Sequence, residues 1–200
     1  LGLVHPSTHG VLRVQCELDG ERVNEVRAAT GFLHTGIEKN MEYRTWTQGV
    51  TFCTRMDYVA PIFQEVAYCQ AIEKLLGIED QIPERAQAIR VLLLELTRIS
   101  SHIVGIGSGG NELGATTMLT LTFRLREDIL RILEDITGLR MNNSFIRPGG
   151  VVDDLPAGSI DYIRELLPGV RNTISEMQDL TLGNPTFKKR HVAVAVSPLS

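Results

Sequence analysis

Three long apolar runs at helical spacing, between Asp57 and Gly138, most constrain what this chain can become. In the first, Ile62, Val66, Cys69, Ile72, Leu75 and Leu76 recur three or four residues apart, so they share one face of a helix. Asp57 is a candidate N-cap and Gly77 a stop, which predicts a helix over 58–76. In the second, Pro83 stands in a first turn, where its missing N–H costs nothing. Ile89, Leu92, Leu93, Leu96, Ile99 and Ile103 then predict a helix to about Gly105. Gly107, Ser108, Gly109 and Gly110 follow, and glycine is a poor helix former, so this helix is expected to fray or bend at 107–110. The third run predicts a helix over 116–137, closed by Gly138. Weaker patterns predict helices over 39–52, around Trp46, and over 159–180, with a possible break at Pro168-Gly169.

The N-terminal part reads differently. Leu12, Val14, Cys16 and Leu18 alternate with Arg13, Gln15 and Glu17, the period of a half-buried strand. Asp19-Gly20 is a hairpin turn signal, and residues 22–28 return as a second strand. The predicted fold class is therefore α+β, mostly α. A small N-terminal antiparallel β-hairpin platform packs on a bundle of four to five long helices. The expected divisions are 1–38 for the platform, 39–190 for the bundle, and 191–200 for the start of a truncated or divergent C-terminal part. The chain starts at Leu1 and ends on Val192-Ala193-Val194-Ala195-Val196, which reads as a strand with no partner after it. Both ends suggest a fragment of a longer protein.

Composition removes several function classes. The formal charge is −4 and no basic face is clustered, which argues against nucleic acid. Lys188-Lys189-Arg190 is too short a run to change that and reads as solvated surface. No stretch of about eighteen apolar residues spans a bilayer, and no signal peptide is visible. Cys16, Cys53 and Cys69 are odd in number and far apart, so no CxxC motif exists and buried, non-ligating thiols are expected.

The most chemically loaded loop is His5-Pro6-Ser7-Thr8-His9-Gly10, at the open end of the hairpin. His5 and His9 have the i, i+4 spacing of a helical metal pair, but Pro6 and the strand after it disfavour a helix and no third ligand is near, so no metal is assigned. A histidine able to give up a proton is the functional reading; two loop imidazoles bonded to backbone is the plain one. Tyr58 is a packed phenol with a tethered hydroxyl, or a functional one. Glu112 is a capping carboxylate at a helix N-terminus, or one that orients and charges an imidazole. Arg140 and Arg147 bracket a Gly/Pro loop, as solvated charges or beside a buried anionic cluster.

Four motifs in order carry a family resemblance: the His5–Arg13 stretch, Gly31-Phe32-Leu33-His34-Thr35-Gly36-Ile37-Glu38-Lys39, Arg55-Met56-Asp57-Tyr58-Val59, and Ile146-Arg147-Pro148-Gly149-Gly150. Together they resemble the quinone-site subunit (the D-type, hydrogenase-large-subunit-like component) of proton-pumping NADH:quinone oxidoreductase, respiratory complex I. The resemblance covers residue 4 to about 190. It implies that His9 and Tyr58 bind the two carbonyls of the quinone headgroup and donate protons as quinol forms. Glu112 falls where the family usually has Asp, paired with the loop histidine. Asn142 falls where many members have His, and Thr35 where some have Arg. These two, with Arg55 and Arg140, are placed near the iron–sulfur cluster of the partner subunit. Asn cannot titrate, so a cluster potential with little pH dependence is expected. Losing cationic neighbours should also lower that potential, which suits menaquinone, although ubiquinone stays open. The implied partners are the B-type iron–sulfur subunit, the C-type subunit and the membrane-arm quinone-channel subunit. The implied setting is peripheral, on the cytoplasmic face of the bacterial plasma membrane, with no covalent cofactor. Two rival readings are weaker. A nickel–iron hydrogenase large subunit needs CxxC pairs, which are absent from residues 1–200. A docking scaffold without a site leaves the conjunction of histidine, tyrosine and carboxylate unexplained.

Overall fold

A computed structural model describes residues 11–194 and 196, in two compact units that divide between Tyr43 and Arg44. The loop bearing His5 and His9 lies outside the described residues. In the first unit, β1 (Arg13–Asp19) and β2 (Arg22–Ala29) pair antiparallel around Gly20, whose φ of 62° is the left-handed value such a turn needs. The register slips between Glu17 and Leu18. The alternation predicted a buried face. Within this unit, however, Leu18, Val23 and Val26 are exposed, and so is Cys16, contrary to the expectation of a buried thiol. Two strands alone have nothing to bury against. A short helix, α1 (Ile37–Met41), completes the unit.

The second unit is helical, with a two-stranded ribbon. The helix expected over 39–52 is in fact two. Thr45 is extended and forms a reciprocal capping box with Gln48, so α2 (Trp46–Cys53) starts afresh there. Next, α3 (Pro61–Leu76) begins later than expected, because Pro61 takes the first helical position. Asp57 does cap, but it caps a turn. Its Oδ1 accepts from the amides of Val59 and Ala60 at 3.2 and 3.3 Å, which leaves Tyr58 in the turn and not on the helix. A 3₁₀ turn (Glu79–Gln81) leads to α4 (Glu84–Glu112).

α4 is not interrupted at its glycines; it continues through them to Glu112. The reason is packing against α5 (Thr116–Thr137), which returns beside it after a short connection. A methyl on Gly107 would collide with Thr122 Oγ1 and sit 3.1 Å from its Cβ; one on Gly110 would lie 3.1 Å from Met118 Cγ. The glycines that weaken the helix locally are thus the ones that let its neighbour approach. Glu112 sits at the C-terminal end of α4, so the N-terminal capping reading is corrected.

After α5, a loop carries the ribbon β3 (Ile146–Arg147) and β4 (Gly150–Val151). α6 (Ser159–Thr181) passes through Pro168 unbroken. Ile163, Val170 and Met177 are buried at intervals of seven, so packing on both sides of the proline carries the helix across a lost hydrogen bond. α7 (Pro185–His191), capped by the Asn184 side chain, has no counterpart among the expected elements. Residues 192–194 turn instead of extending, against the strand expected there. The core joins Val50 of α2, Ile62, Val66 and Cys69 of α3, Leu93 and Leu96 of α4, and Ile129 and Leu133 of α5. No helix among the described residues is long and apolar enough to cross a membrane.

Candidate functional site

Tyr58 is half-exposed in the turn fixed by Asp57. It lines a small cavity with Thr97 and Ser100 of α4, Arg126 of α5, and Arg140 and Asn143 of the following loop. The structure therefore brings two predicted residues, Tyr58 and Arg140, to one place, with a second guanidinium between α5 and the loop. Burial, and then the charge of Arg140, hold the Arg126 pKa below its ordinary value, while Glu127 opposes the shift. Arg140 is paired with Glu127. Thr97 Oγ1, Arg126 Nε and Asn143 Oδ1 are buried without hydrogen-bond partners among the described residues. Such groups favour a polar occupant, since an unpaired buried donor or acceptor costs about 1–3 kcal/mol.

The other predicted residues are placed as follows. Arg55 donates to Thr51 O at 2.6 Å and to Thr54 Oγ1 at 3.1 Å, on the exposed end of α2. Asn142 adjoins the cavity in sequence but does not line it, and its φ of 53° is left-handed. Glu112 does not line the cavity either. Thr35 belongs to the first unit, between His34, which pairs with Glu38 at 2.7 Å, and Gly36. Among the described residues no group of three or more His, Cys, Asp or Glu could hold a metal ion.

Three residues that position this region were missed: Glu65, Glu73 and Arg90. The Glu65 side chain is fully buried. Its Oε1 accepts from the Ser144 amide at 2.7 Å, and its Oε2 from the amides of Phe145 and Ile146 at 2.8 and 2.9 Å. Burial pushes its pKa up; those three N–H donors and the Arg147 charge pull against this without cancelling it. Glu73 and Arg90 form a buried bidentate pair, 2.6 and 3.1 Å, and close the far end of the loop. Glu73 also accepts from the Gly149 amide at 2.8 Å, and Arg90 donates to the carbonyls of Arg147 and Gly150, both at 2.9 Å. Burial alone would raise the Glu73 pKa, but the Arg90 hydrogen bonds, the Gly149 amide and the Arg90 charge bring it below the ordinary range. The signal was in the sequence. Glu65 and Glu73 fall on the apolar stripe of α3 beside Ile62, Val66 and Cys69, and Arg90 on that of α4 beside Ile89 and Leu93. A charge in an apolar stripe announces a buried partner.

The second unit is thus a helical scaffold with a small cavity lined by a tyrosine, two arginines, an anchored loop and apolar side chains such as Pro61, Leu130 and Leu133. Comparison with known proteins shows what the chain is similar to. Residues 112–200 match the family model described as "Respiratory-chain NADH dehydrogenase, 49 Kd subunit". The chain is 61% identical over 190 residues to the D-type subunit 2 of NADH-quinone oxidoreductase from Streptomyces coelicolor, covering 95% of this chain and 43% of that protein. It is 60% identical over 190 residues to the D-type subunit of a Nocardioides species, with the same coverage. It is 55% identical over 200 residues to the D-type subunit of Mycobacteroides abscessus, covering 100% of this chain and 46% of that protein. Over nearly its whole length the chain is thus similar to NADH-quinone oxidoreductase D-type subunits, and it spans somewhat less than half the length of these relatives.

Proposed function

We propose that this chain forms part of the quinone-reducing site of a proton-translocating NADH:quinone oxidoreductase. The observation that carries the proposal is Tyr58, in the turn capped by Asp57, lining a small cavity whose other polar walls are Thr97, Ser100, Arg126, Arg140 and Asn143. Reducing a quinone to a quinol takes two electrons and two protons. The electrons would come from an iron–sulfur cluster on the B-type partner. The protons are the business of this chain. A phenol is a weak acid toward water, but a reduced quinone oxygen is a far stronger base than water. Tyr58 therefore serves one carbonyl. His9 serves the other, biased toward its charged form by Glu112. Two guanidiniums near Tyr58 favour the anionic character that builds on the headgroup during reduction.

On this reading Asn142, with Thr35, Arg55 and Arg140, stands toward the partner's cluster. The C-type and membrane-arm quinone-channel subunits complete the cavity. The complex lies on the cytoplasmic face of the bacterial plasma membrane, and loss of the His9–Glu112 proton is the charge change passed to the membrane arm. The quinone is menaquinone or ubiquinone; the lower cluster potential expected without cationic side chains at Thr35 and Asn142 favours menaquinone.

The test is Tyr58→Phe in the full-length protein, assembled in membranes. NADH:quinone turnover falls while NADH oxidation by an artificial acceptor that bypasses the site persists. If both persist, the phenol is structural and the proposal fails at Tyr58. If both fall, assembly is broken and a docking scaffold becomes the better account.

A further inference from the structure

We propose that Glu65 is a positioning residue for the cavity at Tyr58: its carboxylate, by gathering the amides of Ser144, Phe145 and Ile146, sets the wall that Arg140 and Asn143 present to that cavity. This deepens the reading above and rests on it.

Three observations support this role. First, the loop backbone is costly to hold. Asn142 and Ser144 both have left-handed φ values, 53° and 50°, and neither is glycine. Asn tolerates that region because its short polar side chain bonds locally; Ser gains less from it. Second, the backbone turns three consecutive amides toward one point, and Glu65 occupies that point from the core side, at 2.7, 2.8 and 2.9 Å. A carboxylate, an acceptor at both oxygens, suits this set: one oxygen takes one amide and the other takes two. Third, the clamped residues directly follow cavity-lining ones. Arg140, Met141 and Asn143 line the cavity, and the clamp begins at Ser144. The groups facing Glu65 are Arg147 from the loop and the thiols Cys53 and Cys69 from α2 and α3.

The far half of the loop has a separate anchor. Glu73 holds the Gly149 amide, and Arg90 holds the carbonyls of Arg147 and Gly150. Asn143 is tied through its own Nδ2 to Thr137 Oγ1 at 2.8 Å and to Leu139 O at 2.6 Å. Loss of the Glu65 charge therefore leaves the far half of the loop, from Arg147 to Gly150, anchored and frees residues 144–146 beside the cavity.

The experiment uses the full-length protein in its assembled complex, with Glu65→Gln. Glutamine has the same shape, but one carboxylate oxygen becomes an NH2, so at least one of the three amides meets a donor instead of an acceptor. Hydrogen exchange at Ser144, Phe145 and Ile146 speeds up, while exchange at Gly149 is unchanged. The KM for quinone rises and quinone turnover falls about tenfold or more, as expected when a wall of a reaction site is displaced by an ångström or less. Oxidation of NADH by the bypassing acceptor stays intact. Adding Ser144→Gly to Glu65→Gln recovers part of the lost turnover, because glycine takes the left-handed conformation without strain; adding Ser144→Ala does not. Unchanged KM and turnover in Glu65→Gln overturn the proposal, as does a loss that Ser144→Gly restores no better than Ser144→Ala. Tyr58→Phe separates the two levels. If it leaves quinone turnover intact, the reading of the cavity fails, and exchange at the three amides alone decides whether Glu65 holds the loop.

Discussion

Removing one partner of the Glu73–Arg90 pair should be among the most damaging single changes in the helical unit. Both side chains are nearly inaccessible, 3% and 6% exposed. In Arg90→Ala the Glu73 carboxylate keeps the Gly149 amide and loses both guanidinium contacts. The carbonyls of Arg147 and Gly150 lose a donor as well. Breaking a buried pair by removing one member costs about 3–5 kcal/mol, because a charge is left uncompensated. Replacing both members with apolar residues, as in Glu73→Leu with Arg90→Met, removes that penalty. It still leaves the Gly149 N–H without its Glu73 acceptor, at about 1–3 kcal/mol if water cannot reach it, while the two carbonyls keep their ribbon pairing. The double variant should therefore be no worse than either single one, and far short of their sum. Denaturant unfolding of the full-length protein, followed by circular dichroism, gives all three values. The pair also predicts a pH dependence. Glu73 is held below its ordinary range when folded, so its contribution is complete above the unfolded carboxylate value and drains away as pH falls through the folded one. A single variant within about 1 kcal/mol of the parent, or a double variant as costly as the sum, would contradict this account of the pair.

Other outcomes are as definite. Gly107→Ala should destabilise by about 1–3 kcal/mol, seen as a lower melting temperature, since its methyl meets the fully buried Thr122 where α4 and α5 touch. Burial pushes the Cys69 thiol up to about 12 and raises Cys53 as well, so near neutral pH alkylation mapped by mass spectrometry should mark the exposed Cys16 and spare both until the chain unfolds. Asn142→His should introduce a pH slope into the midpoint potential of the partner's cluster, measured on either side of histidine's ordinary pKa of about 6.5; a strong slope already present with Asn142 would count against its proposed placement.

What the sequence reveals tracks how local the cause is. The Asp19-Gly20 hairpin, the Gly77 and Gly138 stops and the span of α5 follow from turn chemistry and apolar spacing within a few residues. The misplaced boundaries have causes just as local but competing. Thr45 outbids continuation from α1 through its capping box, and Pro61 takes the start that Asp57 had seemed to mark. The glycines of α4 mislead because propensity is a property of one helix, and their reason lies on another, at Thr122 and Met118. At the candidate site, motif resemblance pointed to Tyr58 and Arg140. It gave no hint of Arg126, or of the buried carboxylates 79 and 76 residues before the loop amides they hold. Periodicity did mark those carboxylates, as charges where an apolar residue belonged.

That displacement of charge into the core explains how an otherwise irregular loop becomes a well-defined wall. A loop of this kind has no sheet or helix to satisfy its backbone, and an exposed one would sample many conformers. Here α3 reaches beneath it with two carboxylates. Glu65 gathers three amides at the near end, and Glu73, with Arg90, takes one amide and two carbonyls at the far end. Neither arrangement would be chosen for stability alone, since apolar residues of similar volume often serve as well or better. What the carboxylates add is direction: an amide donor must point at an oxygen, whereas a methyl group accepts any packing. The left-handed Ser144 is then held through its own amide, and the strain stays at the segment between Arg140 and Arg147, where the cavity wall is made.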